Sequence, residues 1–356
     1  MRQDDRRVPV TLLTGFLGSG KTTLLRRILA APDMDGTAVL INEFGEIGLD
    51  HLLVRAVHGS AVVLQNGCIC CTLQADLQLG LRDLIDARAR GDVPPFERIA
   101  IETTGLADPA PIVQTLMLDP MLRHQMRLAD TVATVDAVNG ARQLQTHEES
   151  LRQAAIADRL VLTKTDIAPA ADIAALRARL ATLNPTARLS EAAAPEFDPR
   201  ALLTGGLADP DGKLAEVRRW LRALPAHDHD HAHHHDHGHH VHGAGIASFS
   251  LRIEEAVDWT AFGVWLTSLL HRHGTRVLRV KGLLNVSDAL GPVVLHGVQH
   301  VIHPPTHLPA WPDADTASRL VFVVQDLDPA LVRRSLFTFL DAARRSEQRA
   351  AAPAEA

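Results

Sequence analysis

The sequence predicts an α/β domain with a mostly parallel sheet covered by helices, followed by a small α+β domain. Three observations predict it. Short apolar runs of strand length alternate with helix-spaced apolar residues through the first half of the chain. The glycine-rich loop GFLGSGKT at 15–22 falls between a strand pattern and a helix pattern. At Pro225 the composition changes abruptly to a histidine-rich run, and folded pattern resumes at Ile246.

Taken in order, residues 8–13 (VPVTLL) read as a buried strand and 22–29 as a helix opening directly behind the lysine of the loop. Residues 37–41 are a second strand, ending in the acidic stretch NEFGE at 42–46. A third run, 61–64 (AVVL), delivers the chain into NGCICC at 66–71 and then a helix with Leu77, Leu81, Leu84 and Ile85 on one face. Strands follow at 98–101, with ETTG at the carboxyl end, at 131–135, ending at Asp136, and at 159–162, ending in TKTD. Ile173, Leu176, Leu180 and Leu183 space as a helix. In an open α/β sheet the carboxyl edge of the strands is where ligands bind, and all these polar stretches sit there.

The expected domains are 1–224, a histidine-rich disordered linker at 225–244, a second domain at 245–345 and a tail at 346–356. The second domain shows a half-exposed strand at 246–253 and a helix carrying Trp259, Phe262, Trp265, Leu266 and Leu269. Further strands are expected at 275–280, 293–298 and 320–324, with a last helix over 328–343. Trp259, Trp265 and Trp311 are expected in its core.

A chain of 356 residues suits two domains, and 46% hydrophobic with 22% charged residues is ordinary for a soluble protein. A net charge of -6 offers no basic field for nucleic acid or an anionic membrane, so neither is an expected partner. Residues 1–7 are charged and lead straight into the first strand without an apolar leader, so the expected location is cytoplasmic. The chain has 3 cysteines, Cys68, Cys70 and Cys71, and half of its 20 histidines lie within 227–242. Clustered thiols and imidazoles point to metal.

The loop at 15–22 fits the phosphate-binding pattern G-x-x-x-x-G-K-[ST] in its required strand–loop–helix context. Gly15, Gly18 and Gly20 let successive N–H groups of the loop, Ser19 and Thr23 included, turn into one anion-holding hollow. Lys21 is expected on the β- and γ-phosphates, and the Thr22 hydroxyl on Mg²⁺. In TKTD, Asp166 is a carboxylate able to accept from guanine N1–H and 2-amino groups, while the stem of Lys164 covers the base; GTP is therefore the expected nucleotide. GTPases usually carry Asn where this chain has Thr163, which removes a side-chain amide. Thiolates suit Zn²⁺, Cu⁺ or Co²⁺, but three cysteines cannot close a tetrahedral site. Glu43, or less favourably Glu46, is the candidate fourth ligand. The tract at 227–242 either gathers metal or serves as a solvated spacer.

Together GFLGSGKTT, NEFGEIGLD, NGCICCTL, ETTGLADP, TKTD, the histidine tract, KGLLNV and HLPAWPD resemble the CobW-type P-loop GTPases, a family of metallochaperones akin to the nickel-insertion GTPases. The resemblance runs through nearly the whole chain. It implies Mg-dependent GTP hydrolysis coupled to delivery of zinc or cobalt to a client metalloprotein or cofactor-synthesis enzyme. It also implies that Glu102 is the acidic residue that holds a metal-bound or attacking water, with the Gly105 backbone facing the γ-phosphate. A cobalamin-pathway or metalloenzyme-activator role in the same family, and a GTP-switched metal store, stay open as alternatives, as does a homodimer.

Overall fold

The computed structural model describes residues 7–42, 63–65, 73–204, 210–223 and 245–351. They fall into two compact units that divide at Lys213/Leu214.

The first unit is built on β1 (Val8–Gly15), seven of whose eight residues are buried. Such a strand must be covered on both faces, and it sits at the centre of a sheet of seven strands among the described residues. On one side lie β4 (Arg98–Thr103), β2 (Thr37–Asn42) and β3 (Val63–Gln65), and on the other β5 (Met126–Asp136), β6 (Arg159–Thr163) and β7 (Arg188–Glu191). Every pairing is parallel. Parallel pairing puts all the carboxyl ends on one edge. The register makes this specific: Leu13 lies opposite Glu102, Gly15 opposite Thr134, Asp136 opposite Thr163, and Asn42 opposite Thr103.

Helix α1 (Lys21–Leu29) follows the glycine loop and buries Leu24, Leu25 and Ile28 against β1, β2 and β5 through Leu13, Val39 and Val132. Each such side chain contributes about 1.5–3 kcal/mol of transfer free energy. Next come α2 (Leu73–Arg90), α3 (Ala110–Leu118), α4 (Leu122–Gln125), α5 (Gly140–Thr146), α6 (Glu148–Ile156), α7 (Ala170–Leu183) and α8 (Ala201–Thr204). The expected strands and the helices α1, α2 and α7 are present. The helices between 110 and 156 and the edge strand β7 were not foreseen. β7 shows no fully buried residue, so it presents no apolar run to find.

In the second unit an antiparallel sheet runs in the order β11 (Val301–Ile302), β10 (Val293–Val298), β9 (Val277–Leu284), β13 (Ser318–Gln325), β8 (Ile246–Ile253), with β12 (Thr306–His307) also on β10. One face packs against α10 (Trp259–His273) and α11 (Pro329–Ala351) through Phe262, Trp265, Leu269, Phe322 and Leu336. The Asp258 carboxylate starts α10 by accepting the Ala261 N–H at 2.6 Å. Trp259 stands at the first position of that helix and is 40% exposed, so it is not core; Trp265 is buried, and Trp311 packs at the edge of a second cluster.

That second cluster moves the expected domain boundary. Val217, Trp220 and Leu221 of α9 (Pro210–Ala223) pack against Leu283, Val294 and Val321 on the other face of this sheet. Lys281, fully buried in β9, donates to Glu216 of α9 at 2.8 Å. Residues 214–223, which the sequence placed in the first domain, thus belong to the second. The stretch 224–244 joins α9 to β8 within one unit instead of linking two.

Candidate functional site

The turn after β1 shows why glycine is needed there. Gly15 has φ +138°, and a Cβ on it would come 2.4 Å from Thr134 Oγ1 and 2.5 Å from the Thr134 carbonyl. This close approach lets Ser19, fully buried, share a hydrogen bond with Thr134 Oγ1 at 2.6 Å. Lys21 is 9% exposed, and its ammonium donates to the carbonyls of Gly15 (2.9 Å) and Phe16 (3.3 Å), folded onto the loop itself. Gly18 and Thr23 are exposed, while Gly20 carries the chain into α1 with φ +90°.

At the end of β4, Thr22 Oγ1 donates to Glu102 Oε1 at 2.5 Å, so hydroxyl and carboxylate lie side by side at the mouth of the loop. Both are hard oxygen donors, a set that fits Mg²⁺. Beyond Glu102 the chain turns sharply. The Thr104 carbonyl is pinned by Thr103 Oγ1 (3.1 Å) and the Ala107 N–H (3.2 Å), which fixes the peptide that carries the Gly105 N–H. Gly105 touches the phosphate loop: a Cβ there would meet Leu17 N at 2.6 Å and Leu17 Cα at 2.7 Å.

Helix α6 supports this turn. Gln153, 1% exposed, donates through Nε2 to the carbonyls of Gly105 (3.1 Å) and Ala107 (3.0 Å). Arg152 pairs with Asp108 at 3.1 Å, and His147, at the N-cap of α6, stacks on Phe16 with ring centroids 4.5 Å apart. One short helix therefore touches both the phosphate loop and the turn after β4. Sequence reasoning missed Gln153 and His147, which belong to no motif.

The end of β6 carries the TKTD stretch. Thr163 Oγ1 donates to the Ser19 carbonyl at 2.7 Å, tying this stretch to the phosphate loop. Lys164 has φ +58° and pairs with Asp136 at 2.7 Å; Asp166 is exposed. Burial pushes the Asp136 carboxyl up, but hydrogen bonds from the Asn139 side chain, Lys164 and the Val138 and Asn139 N–H groups outweigh it and hold the group below the ordinary carboxylate value.

Cys68, Cys70, Cys71, Glu43, Glu46 and the tract 227–242 lie outside the described residues. In the chain, the cysteines fall between Gln65, the last residue of β3, and Leu73, the first of α2. Among the described residues no group of three or more His, Cys, Asp or Glu could hold a metal ion. No helix among them is long and apolar enough to cross a membrane.

A central parallel strand, a glycine loop locked to its neighbours, a lysine in that loop and a carboxylate beside the following threonine define a P-loop nucleotide hydrolase. Residues 9–191 match the CobW/HypB/UreG nucleotide-binding domain and residues 246–340 the cobalamin synthesis protein cobW C-terminal domain. The chain belongs to this family and is a GTPase. It is 33% identical to the zinc chaperone YjiA of Escherichia coli over 89% of this chain and 93% of that protein. To the zinc chaperone CobW of Pseudomonas aeruginosa it is 34% identical, over 94% and 92%. A Zn(II)-bound YjiA GTPase in which one glutamate and two cysteines are replaced by alanine superposes with a TM-score of 0.67 at 28% identity, covering 94% of this chain and 99% of that one.

Proposed function

We propose that this GTPase is a cytoplasmic metallochaperone that carries a transition metal, zinc in preference to cobalt, at Cys68, Cys70 and Cys71 and delivers it to a client metalloprotein under control of the bound nucleotide. The observation that carries this reading is the register of β2: Asn42 pairs with Thr103, one position past Glu102. The chain therefore enters the stretch holding Glu43 directly beside the carboxylate at the mouth of the phosphate loop. The same stretch leads on to β3 and the cysteines. The full-length relatives named zinc chaperones support the choice of metal.

In this reading Lys21 exchanges the loop carbonyls for β- and γ-phosphate oxygens, joined by the N–H groups from Gly15 to Thr23. Thr22 and Glu102 would hold Mg²⁺, which would supply charge neutralisation for the phosphates. The fixed Gly105 peptide presents its N–H to the γ-phosphate, and Asp166 with Lys164 selects guanine. If the γ-phosphate orders the stretch after Asn42, GTP tightens cargo metal and hydrolysis loosens it. Couplings of ~1–3 kcal/mol correspond to about 5- to 150-fold in affinity, and metal must tighten GTP by the same factor. The test is metal Kd, for Zn²⁺ and Co²⁺, by competition with a chromophoric chelator in the nucleotide-free, GDP-bound and GTP-analogue-bound forms. A GTP-favoured site that disappears in Cys70→Ser is the expected result; equal affinities in all three forms reject nucleotide-controlled delivery and leave a storage role.

A further inference from the structure

We propose that Asp136, at the carboxyl end of β5, is a positioning residue for guanine selection: it anchors Lys164 and thereby sets the aim of Asp166. The inference rests on the reading of 163–166 as the base-selecting stretch.

Asp136 is 1% exposed, and both of its oxygens are used. Oδ1 accepts the N–H groups of Val138 (2.8 Å) and Asn139 (3.2 Å); Oδ2 accepts Asn139 Nδ2 (3.0 Å) and Lys164 Nζ (2.7 Å). One carboxylate thus ties its own turn to the turn after the neighbouring strand. The pairing is dictated by the sheet, since Asp136 lies opposite Thr163 and the Ala137 N–H donates to the Thr163 carbonyl at 2.9 Å.

Lys164 needs such an anchor. Its left-handed φ of +58° is strained for a residue with a Cβ, and its long side chain has several rotamers to lose. With the ammonium held at one end, the aliphatic stem becomes a fixed plate, and the left-handed turn sends the chain toward Asp166 in one direction. The Ile167 N–H returns to the Lys164 carbonyl at 3.3 Å, so the turn closes on itself. Released from Asp136, Lys164 loses the side-chain anchor of this strained conformation, and Asp166 two residues on loses its aim. A polar group built to read a base discriminates only while it is held in place. A carboxylate that merely shaped the turn at 136–139 would affect stability and leave base preference alone.

The experiment compares GDP, inosine diphosphate, which lacks the 2-amino group, and inorganic tripolyphosphate as ligands of the full-length protein. Asp136→Asn should weaken GDP at least about tenfold and narrow the preference for GDP over inosine diphosphate, with tripolyphosphate affinity unchanged. Lys164→Met, which keeps the stem and removes the anchored end, should narrow the same preference and serves if Asp136→Asn does not fold. An unchanged preference in the folded variant overturns the assignment of Asp136. Asp166→Asn is the control on the underlying reading: it should move preference toward xanthosine diphosphate, and if it does not, the base is read elsewhere and both assignments fall.

Discussion

Substituting Gly105 by alanine tests how closely the turn after β4 must approach the phosphate loop. Gly105 is not among the glycines with left-handed φ, so the added methyl brings no backbone strain and the perturbation is one of spacing. The methyl carbon would lie 2.6 Å from Leu17 N, 2.7 Å from Leu17 Cα and 2.6 Å from Leu17 Cδ2. The last contact can swing away, because the Leu17 side chain is 52% exposed; the first two are backbone and cannot. Restoring ordinary van der Waals separation requires the two segments to part by about 0.8 Å. Misplacement of ~1 Å at a reacting centre costs about 10²-fold, so kcat for GTP should fall about 10- to 100-fold. The base-selecting stretch and the start of the loop are untouched, so GDP affinity should stay within about threefold of the parent. Phosphate release at saturating GTP gives kcat, and displacement of a fluorescent GDP analogue gives the affinity. A folded Gly105→Ala protein with kcat within about twofold of the parent would refute the claim that this contact sets the γ-phosphate geometry.

Two further outcomes follow from the same geometry. Lys21→Ala removes the ammonium that now lies on the Gly15 and Phe16 carbonyls; GTP turnover should drop by at least about 10²-fold with the circular dichroism spectrum retained, and near-parent turnover would remove the residue from the site. Asp119 is 6% exposed and accepts from the Met121 and Leu122 N–H groups (2.9 Å each), Arg82 (2.6 Å) and Gln78. Burial pushes its carboxyl up, but these donors hold it below the ordinary value. A depressed folded pKa gives stability that is complete above the unfolded value of about 3.9 and lost as pH falls through the folded value. Asp119→Asn should therefore cost about 1–3 kcal/mol in urea melts at pH 7, and its deficit against the parent should shrink below about pH 4. A deficit independent of pH would assign the loss to packing.

The sequence made the central machinery visible because each of its parts combines a composition signal with a structural context. The glycine loop lies between a strand and a helix, and Glu102, Asp136 and Thr163 each close an apolar run, so a parallel sheet was bound to bring them to one edge. What it could not show depends on partners far along the chain. Gln153 is a lone glutamine on an amphipathic helix until the fold sets it under the Gly105 and Ala107 carbonyls. The bond from Thr163 to the Ser19 carbonyl links positions far apart in sequence, and no spacing rule reports it. Helix α9 was not foreseen: Val217, Trp220 and Leu221 share one face at helical spacing, but periodicity does not say against which sheet that face is buried. Composition therefore drew the boundary at Pro225, while packing puts it at Lys213/Leu214.

The membership of α9 in the second unit separates two properties that an interdomain histidine linker would have bound together. In the chain, 224–244 follows the last residue of α9 and precedes β8, so both of its ends attach to the second unit. A change in the length of 224–244 is therefore taken up within the second unit and leaves the chain between the two units the same length. The number of histidines and the length of chain between the two units are thus set by different parts of the sequence.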